Sequence, residues 1–184
     1  MDVRPADLAA AVRSLTDPAT ALKTLHWGRN YLYLARLETA AEPVEVVVKQ
    51  LRHRTFRSRM KRRFQGSKAA KSWHVAQALL AAGLQTPEPV MLIESADEEG
   101  PAFYVCRYLP ETVEARYLFR AANAGENAGE EAVRFPQVDF PAFVEALGRT
   151  ARRLHDAGFW HRDLSGGNLL LRFGPDRRPT DVYL

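Results

Sequence analysis

The sequence is short of several things, and each shortage excludes something. One cysteine, Cys106, in 184 residues rules out an internal disulfide and suits a reducing compartment. No stretch approaches the roughly 20 consecutive apolar residues that a helix needs to cross a bilayer. No cationic and then apolar leader ending in small residues opens the chain, so a cytoplasmic protein is expected, with 46% hydrophobic residues to fill a core. His26, His53, His74 and His155 share no metal-ligand spacing. The most informative shortage is of acid. Between Val46 and Pro87 there is no Asp or Glu against ten Lys or Arg, so this segment carries +10 and the remainder −6. Its densest part, RHRTFRSRMKRRFQGSKAAK (52–71), suits the phosphates of an anionic lipid surface, a phosphorylated saccharide or a nucleic acid. Phe56, Met60 and Phe64 recur every four residues within it, the pattern of an amphipathic surface helix. A solvated face is the alternative for any charge run.

What is present reads as alternating strands and helices. PADLAAAVRSL (5–15) predicts a short helix entered through proline. HWGRNYLYLARLE (26–38) and the β-branched EVVVKQL (45–51) predict strands, the first interrupted by a Gly-Arg-Asn turn. GSKAAKSWHVAQALLAAGLQ predicts a helix capped by Ser67, striped by Ala70, Trp73, Ala76 or Gln77 and Leu80, and stopped at Gly83. VMLIE (90–94) and AFYVCRYL (102–109) predict two further strands. Residues 110–137, small and acidic around NAGENAGEE, read as a mobile connection. Asp139 and Pro141 open a helix with Phe143, Leu147, Thr150 and Leu154 on one stripe. The loop HRDLSGGN then leads into LLLRF and, after a turn, DVYL. The order predicts an α+β lobe joined to a helical lobe.

The loop carries chemistry. Phosphoryl transfer needs a carboxylate to orient and deprotonate the attacking hydroxyl, metal to neutralise phosphate oxygens, and a cation on the nucleotide. Asp163 and Asn168 supply the first and part of the second; Lys49, closing a run of three valines, supplies the third. Gly166 and Gly167 allow a tight path between the two polar residues. Gly28 makes a hairpin turn more readily than a phosphate cradle. Cys106 on its strand reads as a packed thiol.

HRDLSGGNLLL resembles the catalytic loop of the protein-kinase-like superfamily, and VVVKQ resembles its lysine-bearing strand. Together with the basic segment and GSKAAKSWHVAQALLAAGLQTPEPV, these stretches resemble the bacterial lipopolysaccharide kinases that phosphorylate Kdo or heptose, over roughly residues 24–184. The resemblance implies a bilobal protein-kinase-like fold: a helical extension over 1–20, a nucleotide-binding lobe over 21–109 with an antiparallel sheet plus one helix, and an incomplete C-terminal helical lobe over 110–184. It implies transfer of phosphate from ATP, with Mg2+, to a sugar hydroxyl of a lipid-linked saccharide. Asp163 would be the base, Arg162 the brace of the loop and Asn168 a magnesium ligand. Lys49 and Gly28 would lie at the nucleotide phosphates, and Arg107, Tyr108 and Leu109 at adenine. Residues 52–71 would hold the enzyme peripherally at the inner face of the cytoplasmic membrane, with nucleic acid disfavoured as partner.

Three departures stand out. The helix glutamate that usually fixes the strand lysine is replaced by Ser72, so Lys49 is expected to be held by phosphate, by an acid from elsewhere such as Glu88, or not at all. Ser165 stands where Ser/Thr protein kinases carry a lysine, which tilts the acceptor toward a saccharide or small molecule. DVYL ends before the aspartate that would bind the catalytic metal, with Asp181 on the wrong side of the strand to replace it; a fragment of a longer protein is expected. The alternatives are a kinase of another hydroxyl, or a catalytically impaired basic binding module.

Overall fold

The computed structural model describes residues 4–28, 30–51, 66–97, 100–124, 138–160 and 164–184. The chain divides into two units, residues 1–78 with 87–108, and residues 79–86 with 109–184.

The first unit is built on a five-stranded antiparallel sheet. Its strands are β1 (Lys23–Trp27), β2 (Tyr31–Leu37), β3 (Val44–Leu51), β4 (Pro89–Glu94) and β5 (Ala102–Arg107), in the order β1-β2-β3-β5-β4. The side-chain period of two sorts each strand between two faces. Tyr31, Tyr33, Ala35 and Leu37 of β2, Val46 and Val48 of β3, and Phe103 and Val105 of β5 share one buried face. Helix α1 (Leu8–Thr16) closes it with Ala11 and Leu15. Asp7, two residues after Pro5, caps the helix, its carboxylate accepting the Ala10 N–H. The Tyr33 hydroxyl donates to the Leu15 carbonyl at 2.5 Å, and burial pushes its pKa up.

The other face is smaller. Leu51 and Ala102 meet Ala69 of helix α2 (Lys68–Ala81), with Leu92 and Tyr104 packed around them. Ser67 caps this helix by accepting the Ala70 N–H at 2.9 Å, and Gly83 (φ +72°) ends it while Leu84 N–H returns to Leu79 C=O. The buried positions are Ala69, Ala76 and Leu79, and Leu80 is 41% exposed. Ala76 is buried as expected, while Ala69 and Leu79 are buried in place of Ala70 and Leu80, each one residue back, about 100° on a helix. A Leu-Leu pair satisfies either phase, and only the packing partner chooses.

In the second unit, β6 (Val113–Glu114), β7 (Leu170–Phe173) and β8 (Pro179–Tyr183) form an antiparallel sheet in that order. Helices α3 (Ala115–Ala124) and α4 (Phe140–Asp156) cover it through Ala115, Leu118, Phe143 and Ala146, which pack on Leu169, Leu171 and Val182. Asp139 caps α4 as the sequence predicts, accepting from Ala142 N–H and pairing with Arg178. A second cluster joins Leu79 and Leu84 to Leu154. The connection expected over 110–137 is corrected over 113–124, where β6 and α3 form; residues 125–137 of that expectation lie outside the described residues. Ala115 and Leu118 bury at helical spacing, a signal diluted in the sequence by the polar residues that follow.

Candidate active site

Lys49 is placed by strand register. It lies opposite Leu32 of β2 and Tyr104 of β5, and alternation puts it on the face of Leu51, so α2 packs beside it through Ala69. Its setting is apolar. Burial raises the pKa of the Tyr104 hydroxyl and pushes the Cys106 thiol up to about 12, with the Lys49 charge pulling the thiol back only in part. Among the described residues no carboxylate forms an ion pair with Lys49. Glu88 pairs instead with Arg107 at 3.1 Å, which corrects the suggestion that it holds the lysine. The Ser72 hydroxyl donates to the Lys68 carbonyl one turn back in its own helix.

The Cys106 setting yields a prediction. A thiol with its pKa at about 12 is thiolate to only about one part in 10^4 near pH 8, and the thiolate is the reactive species. Native protein should therefore resist iodoacetamide near pH 8 and alkylate quickly once unfolded in urea. Removing the cation with Lys49→Met should slow native alkylation further. Equal rates in folded and unfolded protein would contradict the buried position.

Residues 107–109 leave the sheet in stages. Arg107 N–H donates to Glu88 C=O at 2.8 Å and Tyr108 N–H to Glu45 C=O at 3.0 Å, while the Leu109 carbonyl accepts from the Thr112 hydroxyl. The first unit ends at Tyr108 and the second resumes at Leu109. Gly28 lies in the β1–β2 hairpin, where its N–H is donated to Asn30 C=O at 3.2 Å.

The loop before β7 is held from two sides. Gly158 (φ +80°) ends α4, and the exposed Trp160 stacks on His155 with ring centroids 5.1 Å apart. His161, Arg162 and Asp163 lie outside the described residues, as do residues 52–65 of the basic segment. Residues Gly166–Asn168 form a single 3-10 turn closed by Asn168 N–H to Ser165 C=O at 2.9 Å. The Asn168 side-chain nitrogen donates to the Ser165 hydroxyl at 3.2 Å. A carboxamide oxygen is a hard neutral ligand of the kind Mg2+ takes, in company with waters and phosphate. Among the described residues no three His, Cys, Asp or Glu side chains cluster as metal ligands.

The glycine pair is used differently from the sequence expectation. Neither residue has positive φ. A Cβ on Gly166 would stand 2.7 Å from Arg116 N and 2.9 Å from Arg116 Cα, so the glycine is there because the start of α3 lies against the turn. On Gly167 the nearest contact would be Arg116 Nη1 at 3.5 Å, an ordinary separation. Arg116 is thus the residue beside this loop that sequence reasoning missed; the glycine pair was the only local sign of a close neighbour. Asp181 is engaged structurally, accepting from Gln85 Nε2 at 2.8 Å and from the Thr180 hydroxyl at 3.1 Å. Gln85 also accepts the Val182 N–H and Thr86 donates to the Leu184 carbonyl, fixing β8.

The chain matches the family model "Lipopolysaccharide kinase (Kdo/WaaP) family" over residues 28–179. No curated protein matches it. Among solved structures it is similar to "WaaP in complex with acyl carrier protein", at 19% identity and a TM-score of 0.52, over 94% of this chain. The chain spans 64% of the length of that protein. The likeness shows the fold, α+β of the protein-kinase-like type.

Proposed function

The chain belongs to the lipopolysaccharide kinase (Kdo/WaaP) family, and from that premise we propose that it transfers a phosphoryl group from ATP to an inner-core sugar hydroxyl of lipopolysaccharide, on Kdo or heptose. The observation that carries the reading is the build of residues 165–168: Ser165 receives the Asn168 amide nitrogen and Gly166 seats the turn on α3, giving Asn168 a defined orientation five residues after an aspartate. Asp163 holds the sugar hydroxyl and accepts its proton as the bond to phosphorus forms. Arg162 braces the loop. Asn168 is the protein oxygen for Mg2+, which when bound neutralises phosphate oxygens.

Lys49 serves the nucleotide phosphates, and without a carboxylate partner its position is set by register and by the apolar face around it. The N–H groups of Arg107 and Tyr108 are committed within the first unit, so we assign the adenine edge to the Leu109 N–H. Ser165 stands where Ser/Thr protein kinases carry a lysine, which supports a saccharide acceptor over a peptide one. The cations of residues 52–71 draw the enzyme to the anionic surface where a lipid-linked acceptor resides.

The test is direct. The protein is incubated with ATP, Mg2+ and lipid-linked acceptors bearing Kdo alone or Kdo and heptose, and the products are read by mass spectrometry. A phosphate ester on one sugar, formed only with Mg2+, is expected. Transfer to a soluble hydroxyl compound but to neither lipid acceptor would move the activity to the other acceptor class.

A further inference from the structure

The β1–β2 hairpin carries an imidazole on the lysine face of the sheet that has no part in the assignments of Lys49, Asp163 or Asn168. Directly opposed residues of antiparallel strands share a face, and the register lines up five of them in one row. His26 is opposite Leu32, Leu32 opposite Lys49, Lys49 opposite Tyr104, and Tyr104 opposite Leu92. Trp27 is on the other face, its ring edge-on to Tyr31 with centroids 4.5 Å apart, where the Thr24 and Tyr31 hydroxyls also bond to each other at 3.0 Å. His26, one residue before Trp27, therefore belongs to the side of Lys49.

Two strand spacings, about 10 Å of sheet, separate His26 from Lys49, with Leu32 between them. Near the turn the face has charge of one sign. Lys23, opposite Leu34, adds a cation beside His26, and the one acid that β1, β2 and β3 place on this face is Glu45, at the far end opposite Arg36. Gly28 sets where the ring lies. A Cβ there would stand 2.6 Å from His26 Nε2 and 3.4 Å from Cε1, so the imidazole is folded over the glycine and fills the space of a side chain. A polyphosphate presents anionic oxygens along its length and takes donors at more than one point. An imidazole N–H held at the turn, two strands from the lysine, is placed to be the second of them.

We propose that His26 is a ligand of the nucleotide phosphates, meeting oxygens beyond those that Lys49 holds, and that residue 28 is glycine so that the imidazole can lie there. This rests on the kinase reading above and adds a binding residue to its nucleotide site. Calorimetric titration of the 184-residue chain with ATP and Mg2+, and separately with adenosine, tests it without any acceptor. His26→Ala should weaken ATP about tenfold, the size of one hydrogen bond to a charged group, and change adenosine less than about twofold. His26→Gln, which keeps an N–H donor, should lose less. His26 is exposed, and Trp27, Tyr31 and Thr24 hold the hairpin from its other face, so both variants keep the fold.

Gly28→Ala reaches the same ring independently. Its methyl group displaces the tip of a flexible side chain and not backbone, so ATP should weaken about as much as in His26→Ala. In the double variant the two losses should not add, because the methyl group then has no ring to displace. Equal losses for ATP and adenosine would make His26 a structural residue and overturn the assignment, as would additive losses or an ATP affinity unchanged by His26→Ala. Any of these with phosphate transfer intact leaves the kinase reading in place. ATP binding that depends on His26 in a chain that phosphorylates no lipid acceptor supports the site and counts against that reading, and a wild-type chain that binds no ATP overturns both.

Discussion

Asp163→Asn should lower kcat by about 10^2 to 10^4 on the proposed assignment of Asp163 as general base, with KM for ATP nearly unchanged. The substitution keeps size and polarity while removing the charge that the proposal uses to accept the hydroxyl proton, so a loss in turnover alone separates chemistry from binding. Nucleotide binding supplies the control. Mg·ATP should raise the thermal midpoint of wild type and Asp163→Asn by equal amounts, because ligand stabilisation depends on concentration over Kd and not on turnover. A variant that still transfers phosphate within about tenfold of wild type would remove Asp163 from the base role. One that loses the nucleotide-induced shift would make its role one of binding.

The second large effect concerns stability and comes from packing alone. Gly166→Ala places a methyl group 2.7 Å from Arg116 N and 2.9 Å from Arg116 Cα, against backbone that cannot swing aside as a side-chain tip can. Either the turn or the start of α3 must move. Overpacking of this kind costs about 1–3 kcal/mol, which in a chain of this length lowers the midpoint by about 2–4 °C per kcal/mol. Gly167→Ala is the matched control: its methyl would meet only Arg116 side-chain atoms at 3.5 Å and beyond, and it should be nearly neutral. The same displacement carries Asn168 with it, so Gly166→Ala should also raise the Mg2+ concentration needed for half-maximal transfer. Equal midpoints for the two variants would mean that α3 does not abut the turn.

The absence of an acid partner for Lys49 bears on how these effects combine. In the described residues Glu88 is taken by Arg107 and Ser72 by its own helix, so the lysine is held by β3 itself, with Tyr104 and Cys106 on the neighbouring strand. A long side chain without a partner keeps rotamer freedom that binding must remove. On the proposed assignment nucleotide phosphate is what orders it, and Lys49→Met should then weaken nucleotide binding before it slows turnover.

The strands, helix caps and polar loop were legible because each depends on short-range chemistry. Alternation in EVVVKQL fixes which side chains share a face, Ser67 and Gly83 end a helix through their own hydrogen bonds and backbone angles, and the Asp-to-Asn spacing is a property of one loop. By itself, then, the sequence determined the α+β class and the family, and it nominated Asp163, Asn168 and Lys49 for phosphoryl chemistry. Tertiary structure decided the rest. It chose Leu79 over Leu80 as the buried leucine, because a helix stripe has a phase only relative to a partner. It drew α3 from a segment that reads as a connection, because Ala115 and Leu118 gain their burial from Leu169 and Leu171, some fifty residues on. It gave Glu88 to Arg107 and set Arg116 against Gly166, pairings between residues distant in the chain that no local pattern encodes and that only the closure of the sheets brings within contact distance.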